Sequence, residues 1–207
     1  SPKKIAILWN KNKFTLLEEG YKHASTQDGI KKYIVWLKLR ENTSKKVFYV
    51  LNTHVPHGTG EGPGFTTSNE AWRKRAIAAY KTHMTNAVAL VKKFQQSDLP
   101  LFFIGDFAAN YRKDDCSNKY FPCYIFSKQL QLKSGWEYTD LSGIPKSTGT
   151  ISDSTRIPDY VFSWQKSYIQ YNSMKIVYGG TGAGWGGSDH KPIALRLTIN
   201  RQGSSSN

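Results

Sequence analysis

Gly186-Gly187-Ser188-Asp189-His190-Lys191-Pro192-Ile193 closes a glycine-rich loop, Gly179 to Gly187 with Trp185 inside it, and runs straight into an alternating segment. In that segment Ile193, Leu195, Leu197 and Ile199 alternate with Ala194, Arg196 and Thr198. A period of two marks a half-buried strand. A carboxylate and an imidazole therefore sit side by side where a loop enters a sheet. Adjacent residues at such a junction diverge, which lets Asp189 face a metal while His190 faces a substrate oxygen. Taken alone, the dipeptide fits an exposed pair without a task equally well.

Working outward, the 207 residues suit a single domain, expected over 1–200, with a disordered tail over 201–207. Hydrophobic residues make up 39% and aromatics 14%, the composition of a globular chain. No apolar run approaches the ~18 residues of a membrane span. No secretory leader opens the chain, and the start, Ser1-Pro2-Lys3-Lys4 into Ile5–Trp9, reads as a cut through a longer protein. Lys and Arg total 29 against 15 Asp and Glu, a formal net charge of +14. Such an excess points to a polyanionic partner, nucleic acid or an acidic membrane surface. The plainer reading is a device for solubility. The two cysteines, Cys116 and Cys123, lack metal-site spacing. Both lie in one polar loop, which favours a disulfide if the protein is secreted.

The spacing predicts a short apolar strand over Ile5–Trp9, a further apolar segment at Phe14–Leu17, and a hairpin of Ile34–Leu39 with Val47–Thr53. The loop from Pro56 to Ser68 carries four glycines, at 58, 60, 62 and 64, and reads as irregular. A helix follows over about Asn69–Gln96. Ile77, Tyr80, Met84, Ala87, Val88, Val91 and Phe94 give it one apolar stripe. Leu101–Ile104 reads as a buried strand by its continuous apolar character.

Polar residues with chemical potential recur where these strands end. Asn52-Thr53-His54 ends the second hairpin strand, Gly105-Asp106 follows Leu101–Ile104, and Asp159 opens Tyr160-Val161-Phe162. Ligands gather at such strand ends in α/β proteins. Each position also fits an ordinary turn; four of them, counting Asp189-His190, are candidates to converge. His57 reads as a solvent-facing loop residue, and His23 and His83 have no partner in sequence. Asn110 fits a phosphate contact or a turn cap equally well. Tyr111, Arg112 and Lys113 set an aromatic ring and two cations beside the candidate site, as a stacked base and phosphates require. The glycine-rich loop before Ser188 is not a P-loop, because no Gly-Lys-Ser/Thr follows it.

Asn52-Thr53-His54, Gly105-Asp106-Phe107, Arg156-Ile157-Pro158-Asp159-Tyr160-Val161-Phe162 and Ser188-Asp189-His190-Lys191-Pro192 resemble, in this order, the later motifs of the endonuclease/exonuclease/phosphatase superfamily. Its members include DNase I-like nucleases, deadenylases, sphingomyelinases and inositol phosphatases. The resemblance runs from about Ile5 to Ile199 and implies an α/β fold. That fold is a four-layer sandwich of two mixed β-sheets flanked by helices, with the site at one end of the sheets. It implies a metal-dependent phosphodiesterase, foremost a nuclease acting on DNA or RNA. Asp189 would hold Mg²⁺ or Mn²⁺, with Ca²⁺ as an allowed structural ion. His190 would contact the scissile phosphate and Asp159 would orient it. His54 would be the general acid, and Asp106 would orient or deprotonate the attacking water. Asn52, Asn110, Arg112 and the position of Ala108 would bind substrate. Secretion or a cell-surface location is the matching expectation.

Two departures matter. The family pattern is Gly-Asp-Phe-Asn, and Ala108 stands where the Asn belongs. Loss of one such donor costs a factor of ~10² to 10³ in turnover. The fit of the flanking residues favours a deliberate inactivation over decay into a binding-only homologue. The early Asn and the Gln-Glu metal ligand of the family are also missing; Asn10, Glu18 and Glu19 do not replace them. The N-terminal strands are therefore expected to come from a complementing segment or chain. The alternatives are a lipid-headgroup phosphodiesterase of the sphingomyelinase kind and a catalytically dead nucleic-acid-binding homologue.

Overall fold

A computed structural model describes residues 5–57, 70–113, 116–138, 150–151, 156–164, 169–177 and 190–200. Its centre is a six-stranded sheet ordered β1 (Phe14–Gln27), β2 (Ile30–Glu41), β3 (Val47–His54), β4 (Leu101–Asp106), β6 (Asp159–Trp164) and β5 (Leu132–Ser134). Only β3 and β4 pair in parallel; all other neighbours are antiparallel. The reason lies in the chain between them. A long helix, α1 (Glu70–Gln95), carries the crossover that a parallel pair needs. A second, antiparallel sheet of β7 (Ile169–Ile176) and β8 (Ile193–Ile199) packs against the other face. Among the described residues this second sheet has two strands and no outer helix. No described helix is long and apolar enough to cross a membrane.

The helix turns Ala76, Tyr80, Met84, Ala87, Val91 and Phe94 inward, close to the stripe read from the sequence. Ile77 and Val88 are half-buried, and His83 takes a core position. Phe94 stacks on Tyr49 at 4.4 Å and meets the Trp36 ring at 5.1 Å, fixing the end of α1 on the sheet. His83 bridges two strands. Thr53 Oγ1 spends its proton on the Tyr33 carbonyl (3.0 Å), so His83 Nε2–H donates to Thr53 (2.8 Å). His83 Nδ1 then accepts from Ser25 Oγ (3.1 Å). Burial, with Lys32 nearby, lowers its pKa to about 3 and keeps the ring neutral.

The expected strand over Ile5–Trp9 is not formed. Among the described residues its backbone finds no ladder partner, and the segment lies against the inner sheet face. The Asn52 amide donates to the Ala6 carbonyl (2.9 Å), while Ile7 and Trp9 pack beside Leu37, Leu39 and Phe102. Conversely, β1 continues ten residues past Leu17. It is an edge strand, exposed at Leu17, Glu18 and Glu19 and buried at Ala24, Ser25 and Gln27, so polar Glu18 and Glu19 are no obstacle. A bulge at Ala24 separates the His23–Tyr33 and Ser25–Lys32 pairs. The extra residue turns Ser25 outward to His83 and leaves His23 on the inner face.

Register across the three central strands decides where the chemistry sits. Asn52 pairs with Ile104 and His54 with Asp106; Ile104 pairs with Val161 and Asp106 with Asp159. Paired residues share a face, so His54, Asp106 and Asp159 stand in one row at the strand ends. Between Asp106 and its strand, Gly105 adopts φ +149°, and a Cβ there would overlap the Thr53 carbonyl oxygen. Gly105→Ala is expected to cost about 3 kcal/mol or more of stability by forcing β3 and β4 apart, read from denaturant unfolding.

Candidate active site

The polar row opens onto a cavity of about 690 Å³ between the two sheets. Asn52, Asp106, Asp159 and His190 form its polar end, and Phe102, Ile104, Val161, Ile193 and Leu195 its apolar wall. His190 reaches the row from the second sheet, just before β8. A bridge between Ile151 and His190, the Lys191 N–H on the Thr150 carbonyl, and the Val177 N–H on the Pro192 carbonyl (2.8 Å) fix its backbone.

The four side chains form a connected set. His190 Nδ1–H donates to Asp159 Oδ2 at 2.9 Å, which settles the tautomer and aims Nε2 at the cavity. Asp106 Oδ2 lies 3.9 Å from His190 Nε2 and 3.5 Å from His54 Nε2. Both gaps are long for a direct hydrogen bond and suit an oxygen placed between the groups. The other carboxylate oxygen, Asp106 Oδ1, accepts from the Ala108 N–H at 2.7 Å. This turn puts Ala108 at φ 52°, in the left-handed region. An alanine pays for that conformation, whereas an Asn tolerates it. The position therefore favours Asn on backbone grounds as well as for its amide.

Electrostatics divide the groups. Burial, reinforced by the Asp159 charge, raises the Asp106 pKa to about 6, against the pull of the Ala108 N–H. Burial, then Lys32 and His57, lowers the His54 pKa to about 4, although its side chain is 44% exposed. His54 is therefore a neutral ring at pH 7. That favours a hydrogen-bond donor over the proton-loaded acid expected from the resemblance.

The structure sorts the remaining expected residues. Asn52 lines the cavity, but its amide nitrogen holds Ala6. Asn110 is buried, and its Oδ1 accepts from the Ile157 N–H (3.1 Å) and the Arg112 N–H (3.3 Å). It ties the Asp106 loop to the chain entering β6. Tyr111 packs on Trp136 and Tyr160, so its ring belongs to the core. Ala108 is buried at 5% exposure. Arg112 is half-buried beyond this loop. Asp189, Trp185 and the tail 201–207 lie outside the described residues, as does most of the glycine loop at 58–64. His57 gains a neighbour that the sequence did not suggest: its ring is 6.0 Å from that of His54, and its carbonyl accepts from Gln27 Nε2. Lys32, whose charge acts on both rings, was unmarked in a basic run. Cys116 and Cys123 are joined by a disulfide, their Cα atoms 5.0 Å apart.

Among the described residues no group of three or more His, Cys, Asp or Glu is arranged to hold a divalent ion. One oxygen of each carboxylate is already engaged, Asp106 Oδ1 by the Ala108 N–H and Asp159 Oδ2 by His190. These residues do not by themselves fit the ion.

No family model matches the sequence, and no curated protein matches it. Solved structures do resemble the fold. An endonuclease/exonuclease/phosphatase family protein from Bacteroides thetaiotaomicron superposes with a TM-score of 0.66 at 14% identity, over 94% of this chain and 69% of that one. A mannosyl-6-phosphatase from the same organism gives 0.63 at 15% identity, over 92% and 69%. D. rerio TDP2, in complex with a single-strand DNA product, gives 0.57 at 12% identity, over 91% and 70%.

Asp106→Asn is the test of the buried charge. The folded carboxyl keeps its proton to about pH 6, against an ordinary value of 3.8. The ionised form therefore costs stability above pH 6, and this cost is absent below the unfolded pKa. The variant is expected to be more stable by on the order of 2 kcal/mol at about pH 8, with the gain vanishing below about pH 4, measured by thermal unfolding.

Proposed function

We propose that this chain, which carries the DNase I-like fold of the endonuclease/exonuclease/phosphatase superfamily, is a phosphodiesterase that cleaves nucleic acid by in-line attack of water at phosphorus. The observation that carries this reading is the meeting of His54, Asp106, Asp159 and His190 at one strand-end row. The net charge of +14 favours a polyanionic substrate over a neutral one. The single-strand DNA product held by the TDP2 neighbour supports the same class.

In this reading Asp106 takes the proton of the attacking water. A carboxylate with a pKa near 6 is a stronger base than an ordinary one and is still ionised at neutral pH. Asp159 holds the His190 ring so that, as an imidazolium, it presents Nε2–H to a phosphate oxygen and stabilises developing charge. As the water oxygen bonds to phosphorus, the opposite P–O bond breaks, and the leaving oxygen takes its proton from this ring or from solvent. Neutral His54 donates a hydrogen bond to a second phosphate oxygen. The divalent ion, Mg²⁺ or Mn²⁺ with Ca²⁺ as a structural companion, is a proposal resting on Asp189; every step above belongs to the chain's own side chains.

Two further parts complete the proposal. A complementing segment extends the second sheet over the inner face beside Ile7, Val35 and Leu37, below the polar row. Among the described residues two strands of the second sheet stand against six, and a separate cavity of about 430 Å³ opens at that place. The Cys116–Cys123 bond supports an oxidising, extracytoplasmic location.

The deciding experiment is plasmid nicking with Mg²⁺ or Mn²⁺ against an EDTA control. Ala108→Asn is expected to raise turnover by ~10² to 10³. Its rate is expected to rise with pH along an acid limb of apparent pKa about 6, and Asp106→Asn to remove that limb. Nucleic-acid binding by both forms with no turnover in either, even with the complementing N-terminal segment supplied, sinks the enzyme reading and leaves the binding-only homologue.

A further inference from the structure

The inner face of the central sheet continues past the catalytic row. Ile34 pairs with Thr53, so one step further along this antiparallel register Tyr33 stands opposite His54. On the next strand His23 pairs with Tyr33. The row thus runs His23, Tyr33, His54, Asp106, Asp159 across five strands of one face. The Ala24 bulge makes this possible, because it keeps His23 inward while sending Ser25 to the helix side.

His23 meets Tyr33 at 5.7 Å with an interplanar angle of 61°, and Tyr21 meets Tyr33 at 5.9 Å and 77°. Edge-to-face contacts of this kind hold the three rings in fixed relation to one another. His23 is exposed and further steadied by Thr26 Oγ1 at 2.9 Å. Lys31 lies two residues from Tyr33 and shares its face, fully in solvent reach at the end of the hairpin. Strand spacing puts Tyr33 about 5 Å and His23 about 10 Å from His54, to the side of the phosphate site.

We propose that His23, Tyr33 and Lys31 form a subsite for an unpaired nucleic-acid strand, with nucleobases stacking on the two rings and Lys31 contacting a phosphate next to the one held at Asp106. The inference rests on the nucleic-acid reading above and specifies it: the substrate is single-stranded, or frayed, beside the cleaved bond. Ring faces are read by every base, so the subsite gives strand preference without sequence preference. A double helix hides its base faces and does not engage the rings. Charge complementarity favours this occupant, since a cation flanks the rings and the chain is +14 overall.

The test separates stacking from charge. Binding of labelled oligothymidylate is compared with binding of an abasic strand of equal length at one salt concentration. The intact protein is expected to bind the base-bearing strand at least about tenfold more tightly. Tyr33→Leu and His23→Leu are expected to bring that ratio close to one, Tyr33→Phe to keep it, and Lys31→Ala to weaken both strands alike. Exposed His23 decides the matter if Tyr33→Leu fails to fold by thermal melting. An intact-protein ratio near one, or a ratio that survives in folded Tyr33→Leu and His23→Leu, overturns the subsite. Equal binding to both strands together with Tyr33-dependent binding to anionic phospholipid vesicles overturns it in favour of a membrane surface. Hydrolysis of bis(p-nitrophenyl) phosphate by Ala108→Asn is scored separately. Its absence with an intact base-dependent ratio sinks the proposed reaction and leaves the stacking subsite standing.

Discussion

Gly105 and the Thr53 carbonyl approach each other more closely than any side chain would allow, and this contact sets the register of β4 against β3. The register then fixes which side chains share a face. Shifted by one residue, His54 would stand across from Gly105, and Asp106 would point into the helix-side core. The α1 crossover makes the pair parallel, and His83 pins that helix to β1 and β3 through Ser25 and Thr53. Packing on one side of the sheet thus holds chemistry on the other.

The site itself is under tension between burial and charge. Two carboxylates, Asp106 and Asp159, are paired across adjacent strands, which raises the cost of ionising Asp106. His190 relieves Asp159 by a direct hydrogen bond but stands farther from Asp106. The unequal treatment leaves the two carboxylates in different states, Asp159 bonded to the His190 ring and Asp106 with a raised pKa. The left-handed turn at Ala108 adds backbone strain at the same place.

Much of this was legible in the chain. Continuous apolar character marked β4, alternation marked β8, and the stripe at three- and four-residue steps marked α1 to within a residue at each end. The four polar strand ends were visible as a set, and one side chain from each, His54, Asp106, Asp159 and His190, stands in the connected cluster. Less legible was anything decided by distant partners. His83 bonds to residues 58 and 30 positions away, and nothing around it in sequence announces a core role. Asn110 reads equally as a ligand or a cap until its bond to the Ile157 N–H, 47 residues on, is known. The long edge strand β1 hid behind its polar residues, and the Ala24 bulge breaks the parity from which faces are read. Ile5–Trp9 has the composition of a strand without the hydrogen-bonding neighbour that would make it one.

The opposite shifts of His54 and Asp106 have a consequence for the proton inventory of folding. Between about pH 4 and 6 the unfolded chain would carry a charged imidazole and a charged carboxylate, given their ordinary values of 6.5 and 3.8. The folded chain holds the reverse, a neutral ring and a protonated acid. For His54 folding releases a proton, which by itself makes stability rise with pH; for Asp106 folding takes one up, which makes it fall. The two slopes cancel through this window. At this pair folding relocates a proton from base to acid with little exchange with the solvent, so mild acidification finds its lever for unfolding elsewhere, at buried His83, whose ring must charge.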